Sequence, residues 1–310
     1  MIKKNPPVEL TDSLTMLGTN EYPLYLVKGG DQGAIFEGGV GAMGPVLQQQ
    51  LAELSVPADF VRQVIVTHGH PDHVMAVPAM QRMFPGVTVC ASQLAARTMN
   101  AEKAVSFFAK VDDVITDALL KAGSIRAEHK PDPLDEMRIS VDTFHAEGDL
   151  LVIGDVEFNV LFTPGHSDCS LSFHNPADGT LIVSDATGYF LPEGFWWPNY
   201  FSHYGEYLDS ITRLATLDAE VLCLSHNAAI TGSEDIKTYF QGAIDATESY
   251  HQRIIDEVKS GKSVREIAGP LGEEVYARTQ LMPLEFFQKN CSLLVKQSME
   301  YEEIEPAEQS

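Results

Sequence analysis

One run of ten residues, Val64-Ile65-Val66-Thr67-His68-Gly69-His70-Pro71-Asp72-His73, sets an apolar, β-branched stretch directly before three histidines and an aspartate. An apolar strand that empties into a Gly- and Pro-containing turn holds its loop side chains in a fixed place. With a single glycine between them, His68 and His70 can converge on one ion while Asp72 and His73 point at a second. Imidazoles with a carboxylate suit zinc, iron or manganese better than calcium or magnesium, which prefer oxygen donors.

The same punctuation recurs along the chain. Val156 to Phe162 runs into Thr163-Pro164-Gly165-His166-Ser167, Leu181-Ile182-Val183 into Ser184-Asp185, and Val221 to Leu224 into Ser225-His226. Strands that deliver ligand-type side chains at their carboxyl ends mark the edge where layered α/β folds bind ligands. His129, His145, His174 and His251 lack that placement and read as ordinary core or surface residues. Ser167, Ser184 and Ser225 lie beside the ligand positions without a G-x-S-x-G elbow, so they read as turn residues or as donors to the ligands.

The elements that must position these residues follow from periodicity. Leu14 to Leu17, Tyr22 to Val27 and Ala34 to Glu37 predict an antiparallel meander, with Pro23 at a strand start or an edge. Met43 to Leu54 and Val74 to Phe84 have helical spacing around the strand Val61 to Val66, and Val87 to Ala91 is the next strand: β-α-β order. Residues 92–127 predict a helical insertion, and Leu150 to Ile153 with Val156 to Phe162 a hairpin about Gly154-Asp155. Beyond 233 the pattern is helical, with Gly261 as a stop, a Ser263/Glu266 capping box and Pro283 opening a last helix. The domain reading is therefore a catalytic domain over 1–233 and a helical extension over 234–310, whose acidic end from Glu300 to Pro306 is expected to be solvated and frayed.

A formal charge of −23, from 44 acidic against 21 basic residues, excludes nucleic acid as the expected substrate, because phosphate contacts need clustered Lys or Arg. No long uncharged apolar run and no signal core follow the Lys3-Lys4 start, so the expectation is a cytoplasmic protein with no membrane partner. Cys90, Cys169, Cys223 and Cys291 lie far apart and read as reduced thiols; Cys169, three residues after His166, reads as a small buried side chain near a metal.

Taken together, the T-H-G-H-P-D-H run at 67–73, T-P-G-H-S at 163–167, S-D-A at 184–186 and L-S-H-N at 224–227 resemble the metallo-β-lactamase superfamily, over about Leu14 to Thr231. The resemblance implies an α/β fold, a four-layer αββα sandwich with two divalent metal ions, zinc, iron or manganese, between its sheets. Carried over residue by residue, it implies that His68, His70 and His166 hold one ion, that Asp72, His73 and His226 hold the other, and that Asp185 bridges them. A bridging carboxylate is similar to the glyoxalase II and lactonase branches. One departure stands out: Glu37-Gly38-Gly39 replaces the Asp-Thr-Gly-like turn of many members. With the insertion and the helical tail, this resembles the PqsE-type branch of bacterial thioesterase-like proteins.

The expected chemistry is hydrolysis of a small thioester or ester, with Asp72 taking up a proton from the attacking water. Lactone or phosphodiester cleavage on the same metals, persulfide oxidation, and a regulatory protein with an incidental site are the alternatives. Between Asp185 and His226 the chain carries both of its tryptophans, and Phe195, Trp196, Trp197, Tyr200 and His203 are the expected contacts to an acyl substrate. The competing readings are packing of that aromatic segment on the helical tail or on a second copy in a homodimer, and His203 as a helix-start residue.

Overall fold

The computed structural model describes residues 1–304, so Glu305 and Pro306 of the expected tail lie outside the described residues. The chain begins with β1 (Ile2–Lys3), β2 (Val8–Thr11), β3 (Leu14–Gly18), β4 (Pro23–Gly29), β5 (Gln32–Phe36), α1 (Met43–Glu53), β6 (Val61–Ile65), α2 (Val77–Met83) and β7 (Thr88–Ala91). It continues with α3 (Gln93–Met99), α4 (Glu102–Ala122), β8 (Thr143–Phe144), β9 (Leu150–Ile153), β10 (Val156–Phe162), β11 (Leu171–Asn175), β12 (Thr180–Ser184), β13 (Tyr189–Leu191) and β14 (Phe195–Trp197). It closes with α5 (Tyr204–Ala215), β15 (Val221–Leu224), β16 (Ala229–Thr231), α6 (Ser233–Lys259), α7 (Val264–Tyr276) and α8 (Leu284–Tyr301). The result is a mixed α/β fold whose sheets are flanked by helices.

Two compact units divide the chain, and they interleave. One takes Met1–Phe162, Cys169–Ser184 and Asp218–Ile236; the other takes Thr163–Asp168, Asp185–Leu217 and the chain from Lys237 onward. The helical extension therefore shares a unit with two internal segments, and α6 starts at Ser233, beside the expected boundary.

In the first unit two seven-stranded sheets run in the orders β2-β3-β4-β5-β6-β7-β8 and β1-β16-β15-β12-β11-β10-β9. The β3 to β5 portion is the expected antiparallel meander with Pro23 at a strand start, β2 extends it, and β5 to β8 run parallel. β12 and β15 form the parallel pair of the other sheet. The inner faces share one core: Tyr25, Val27 and Phe36 from one sheet meet Ile153, Phe158, Phe173, Ile182 and Cys223 from the other. The Phe36 ring lies 5.2 Å from both Phe158 and Phe173. Burying each such side chain contributes about 1.5–3 kcal/mol. Tyr25 is fully buried and donates its hydroxyl to the Leu224 carbonyl at 2.5 Å, which pins β15 to the opposite sheet two residues before His226.

Besides the hairpin β13–β14, five strands were not expected from periodicity. β1, β8 and β16 are two or three residues long, β2 is short and half-exposed, and β11 (Leu171-Ser172-Phe173-His174-Asn175) is polar at alternate positions yet buried at every one. The expected helix from Val74 begins later, at Val77, because Pro71 opens a separate 3₁₀ turn over Pro71–His73 and Pro78 is confined to a first turn. Residues 92–127 hold α3 and α4, as expected of a helical insertion.

The second unit packs the hairpin β13–β14 among α5 to α8. Trp196 lies 4.8 Å from Phe190 and 6.0 Å from Tyr239, and Trp197 lies 5.6 Å from Phe287. The segment read as an aromatic loop is thus a hairpin whose rings pack on the helical extension. The described part of the acidic end, residues 300–304, begins as helix and is not frayed throughout. The helix α8 runs to Tyr301, whose ring meets Tyr204 at 4.9 Å, and the Glu302 carboxylate lies 3.2 Å from His251 Nε2. His251 in turn stacks on Tyr204 at 3.9 Å. Glu300, Glu302 and Glu303 nevertheless remain exposed, as expected of a solvated end.

Asp112 ties the insertion to the first sheet: from α4 it accepts the Gly41 N–H at 2.7 Å while buried. Burial pushes its carboxyl up to about 6, and the charges of Asp113 and Asp72 add to that against the pull of the Gly41 N–H. A proton on Asp112 favours the folded state, so this contribution is complete below about pH 4 and is lost as pH rises towards 6. Asp112→Asn keeps an acceptor for Gly41 without the charge. In the metal-free protein its stability relative to the parent is expected to be near zero at pH 4 and to rise by up to about 3 kcal/mol by pH 7, read by urea unfolding at each pH.

Candidate metal centre

Within the first unit, strand ends deliver the side chains. β6 runs through Thr67 into His68, Gly69 and His70, and the 3₁₀ turn, preset by Pro71, turns Asp72 and His73 back. β15 delivers His226, and β5 delivers Glu37. Gly38 donates its N–H to the His73 carbonyl at 3.0 Å, and a Cβ there would stand 2.3 Å from that oxygen, so only glycine permits the approach.

Ligand atoms of Asp72, His73 and His226 lie within 4.8 Å of one another. Asp72 Oδ2 stands 3.5 Å from His73 Nε2 and 3.7 Å from His226 Nε2. The His68 ring lies 4.2 Å from that of His73 and 4.7 Å from that of His70. Three imidazoles are held from behind. His73 Nδ1 lies 2.8 Å from Glu37 Oε2, His226 Nδ1 lies 2.9 Å from the Glu21 carbonyl, and His68 Nδ1 lies 3.2 Å from Ser184 Oγ. Cys169 supports the loop and offers no ligand: its Sγ accepts the Gly69 N–H at 3.3 Å and its carbonyl accepts the Ser92 hydroxyl at 2.8 Å. Ser184 Oγ stands beside a ligand position as expected, but as the acceptor of the His68 Nδ1–H and not as a donor to it.

Within the second unit, His166 Nε2 lies 3.3 Å from Asp185 Oδ2, and His166 Nδ1 lies 2.8 Å from the Asn199 carbonyl. The His166 loop is fastened by the Ser202 and His203 N–H groups on the Gly165 carbonyl, at 3.0 and 3.1 Å, and by the Ser210 hydroxyl on the Pro164 carbonyl at 2.8 Å.

These residues fit a transition metal. In four histidines Nδ1 meets an oxygen, which leaves Nε2 as the ligand atom, the way metal-binding imidazoles are oriented. The carboxylate-to-Nε2 separations of 3.3, 3.5 and 3.7 Å approximate the edge of a tetrahedron with bonds of about 2.1 Å, roughly 3.4 Å.

The expected substrate contacts are placed differently. Tyr200 is fully buried with its hydroxyl 3.0 Å from Ser298 Oγ, so it serves the packing of α8. Trp197 is likewise buried, against Phe201 and Phe287. His203 caps α5, its Nδ1 accepting the Glu206 N–H at 3.2 Å, the helix-start role. Trp196 and Phe195 are half-exposed, Phe195 beneath the Arg278 guanidinium at 5.5 Å. The supporting residues Glu37, Glu21 and Asn199 were missed as such, and of these Glu37 carried a signal, as a departure at the first hairpin; Cys169 is the small buried side chain its spacing from His166 suggested.

The sequence pattern of the metallo-beta-lactamase superfamily matches residues 23–226. The chain belongs to that superfamily. Its members are in general metal-dependent hydrolases, and the His/Asp cluster is the candidate metal-binding group. A metallo-beta-lactamase family protein from Thermus thermophilus shares the fold over 95% of both chains, with a TM-score of 0.66 and 20% identity. A subclass B3 metallo-beta-lactamase of Bradyrhizobium japonicum covers 84% of this chain and 97% of its own, with a TM-score of 0.58 and 16% identity. An uncharacterized protein of Aquifex aeolicus (strain VF5) is 28% identical over 124 residues, 39% of this chain. The chain spans about half, 47%, of the length of that curated relative.

Gly165 holds the superfamily's fourth histidine in place through a φ of +113°, and a Cβ there would stand 2.2 Å from the Tyr207 nitrogen. Gly165→Ala is expected to cost about 3 kcal/mol or more and to lower the metal retained after gel filtration, measured by thermal unfolding and elemental analysis.

Proposed function

We propose that the chain is a dinuclear metal-dependent hydrolase of a small acyl substrate, a thioester before a lactone. In this reading His68, His70 and His166 hold one ion, Asp72, His73 and His226 the other, and Asp185 bridges. The observation that supports it most is the backing of the Nδ1 atoms of His68, His73, His166 and His226 by oxygens, which orders every Nε2 as a ligand. Asp185, a carboxylate at the bridging position, and the helical extension support the glyoxalase II-like and PqsE-type branch.

Divalent ions held by these residues would supply a hydroxide nucleophile at neutral pH and polarise a carbonyl. The protein's own groups do the rest. Asp72 turns Oδ2 towards His73 and His226, and its Oδ1 is the atom proposed to take up the proton released during attack. Its side chain is 24% exposed, against 2% for His73, which keeps one path open to water. Phe195 and Trp196, half-exposed on the hairpin that follows Asp185, are proposed to meet the acyl group.

Elemental analysis is expected to give two ions per chain, and exhaustive chelation to abolish turnover with recovery on adding zinc, iron or manganese. Acyl-CoA is expected to be cleaved faster than an acyl-homoserine lactone or bis-p-nitrophenyl phosphate under the same conditions. One ion per chain with oxygen consumption would instead identify an oxidase. Asp72→Asn is expected to lower kcat about 100-fold or more at full metal content; full turnover would remove Asp72 as the proton acceptor.

A further inference from the structure

Glu37 lies at the centre of a buried chain of hydrogen-bonding groups that spans both sheets of the first unit. Its Oε2 is 2.8 Å from His73 Nδ1, and both of its oxygens are 3.1 Å from Thr67 Oγ1. Thr67 Oγ1 is 2.7 Å from Ser184 Oγ and 3.3 Å from His68 Nδ1, and Ser184 Oγ is 3.2 Å from His68 Nδ1. All five residues are buried, none more than 1% exposed. Two of them have left-handed backbones without being glycine: Glu37 at φ +74° and Ser184 at φ +49°. Such conformations cost about 1 kcal/mol or more each and persist only where surrounding interactions impose them.

The hydrogens in this chain have one consistent direction. A carboxylate only accepts, so the single hydroxyl hydrogen of Thr67 goes to Glu37. Thr67 Oγ1 then accepts from Ser184, and His68 Nδ1–H donates to Ser184 Oγ, with Thr67 Oγ1 as a second acceptor at 3.3 Å, while His73 Nδ1–H donates to Glu37 directly. We propose that Glu37 is a shared positioning carboxylate: one anion sets the tautomer of two imidazoles, His73 directly and His68 through the Thr67 and Ser184 hydroxyls. It rests on the proposed metal centre for its consequence. His68 and His73 are assigned to different ions, so the retention of both ions depends on one side chain that touches neither.

The test uses the full chain. In zinc competition against a chromogenic chelator, Glu37→Gln is expected to weaken both stepwise affinities, each by about 10- to 100-fold. Thr67→Val is expected to weaken only one, Ser184→Ala the same one but less, since Thr67 Oγ1 remains as an acceptor for His68, and Thr67→Ser, which keeps the hydroxyl, to restore it. Combining Glu37→Gln with Ser184→Ala is expected to add nothing at the His68 ion beyond Glu37→Gln alone.

A second readout needs no metal. Imidazole ¹⁵N spectra of the metal-free parent are expected to show Nδ1–H at His68 and His73. Both should change in Glu37→Gln, and only His68 should change in Thr67→Val. If His68 keeps its tautomer in Glu37→Gln, the relay is wrong, whatever the number of ions. If the tautomers behave as stated but the parent binds one ion, the relay stands and the dinuclear reading falls.

Discussion

A carboxylate buried between two sheets must be given hydrogen-bond donors or be expelled, and Glu37 is the carboxylate around which the first unit's site is arranged. Its donors come from the end of β6, as Thr67, and from the turn carrying His73, and Thr67 is in turn held by Ser184 at the end of β12. Those places belong to both sheets, so satisfying one anion sets the relative height of strand ends that the ladders alone leave adjustable. The unusual backbone of Glu37 and Ser184 is the local cost of that arrangement.

The sheets make such an arrangement possible. Phe36 packs against Phe158 and Phe173, and Tyr25 reaches across to the Leu224 carbonyl, so the two inner faces form one apolar core with few degrees of freedom. Parallel strands such as β5, β6, β12 and β15 are buried on both faces and need crossovers, which is why their carboxyl ends collect at one rim. The second unit uses a different physics. Its hairpin and α5 to α8 are joined by rings, with Trp196, Trp197, Tyr200 and Tyr204 in contact with Phe190, Phe287, Tyr207 and His251. There the aromatic residues that looked like a substrate pocket largely hold helices to a hairpin.

Much of this was legible in the chain alone. An apolar run stopping at a histidine or aspartate is a local pattern, so β6, β10, β12 and β15 and the ligands after them could be read directly. Strand β11 was not: Leu171-Ser172-Phe173-His174 carries the alternation of a short half-buried strand, yet Ser172, His174 and Asn175 are buried as well, because neighbouring groups satisfy their polar atoms. The Ser172 hydroxyl, for example, reaches the Val183 carbonyl, and His174 Nε2 lies 2.9 Å from the Asp218 carbonyl. The hairpin at 189–197 was hidden for the opposite reason, since its aromatic density matched pocket and packing equally well.

By itself the sequence determined the chemistry on offer: which side chains end which strands, that imidazole and carboxylate predominate, and that acidity disfavours polyanionic partners. Only the tertiary structure decided which atom of each imidazole is free for a ligand's role, because Nδ1 is engaged by groups remote in the chain. Glu21 is 205 residues from His226, Glu37 is 36 from His73, and Ser184 is 116 from His68. Hydrogen bonds act over about 3 Å in space and carry no trace in residue spacing, so their partners are set by how two sheets register against each other and not by any local pattern.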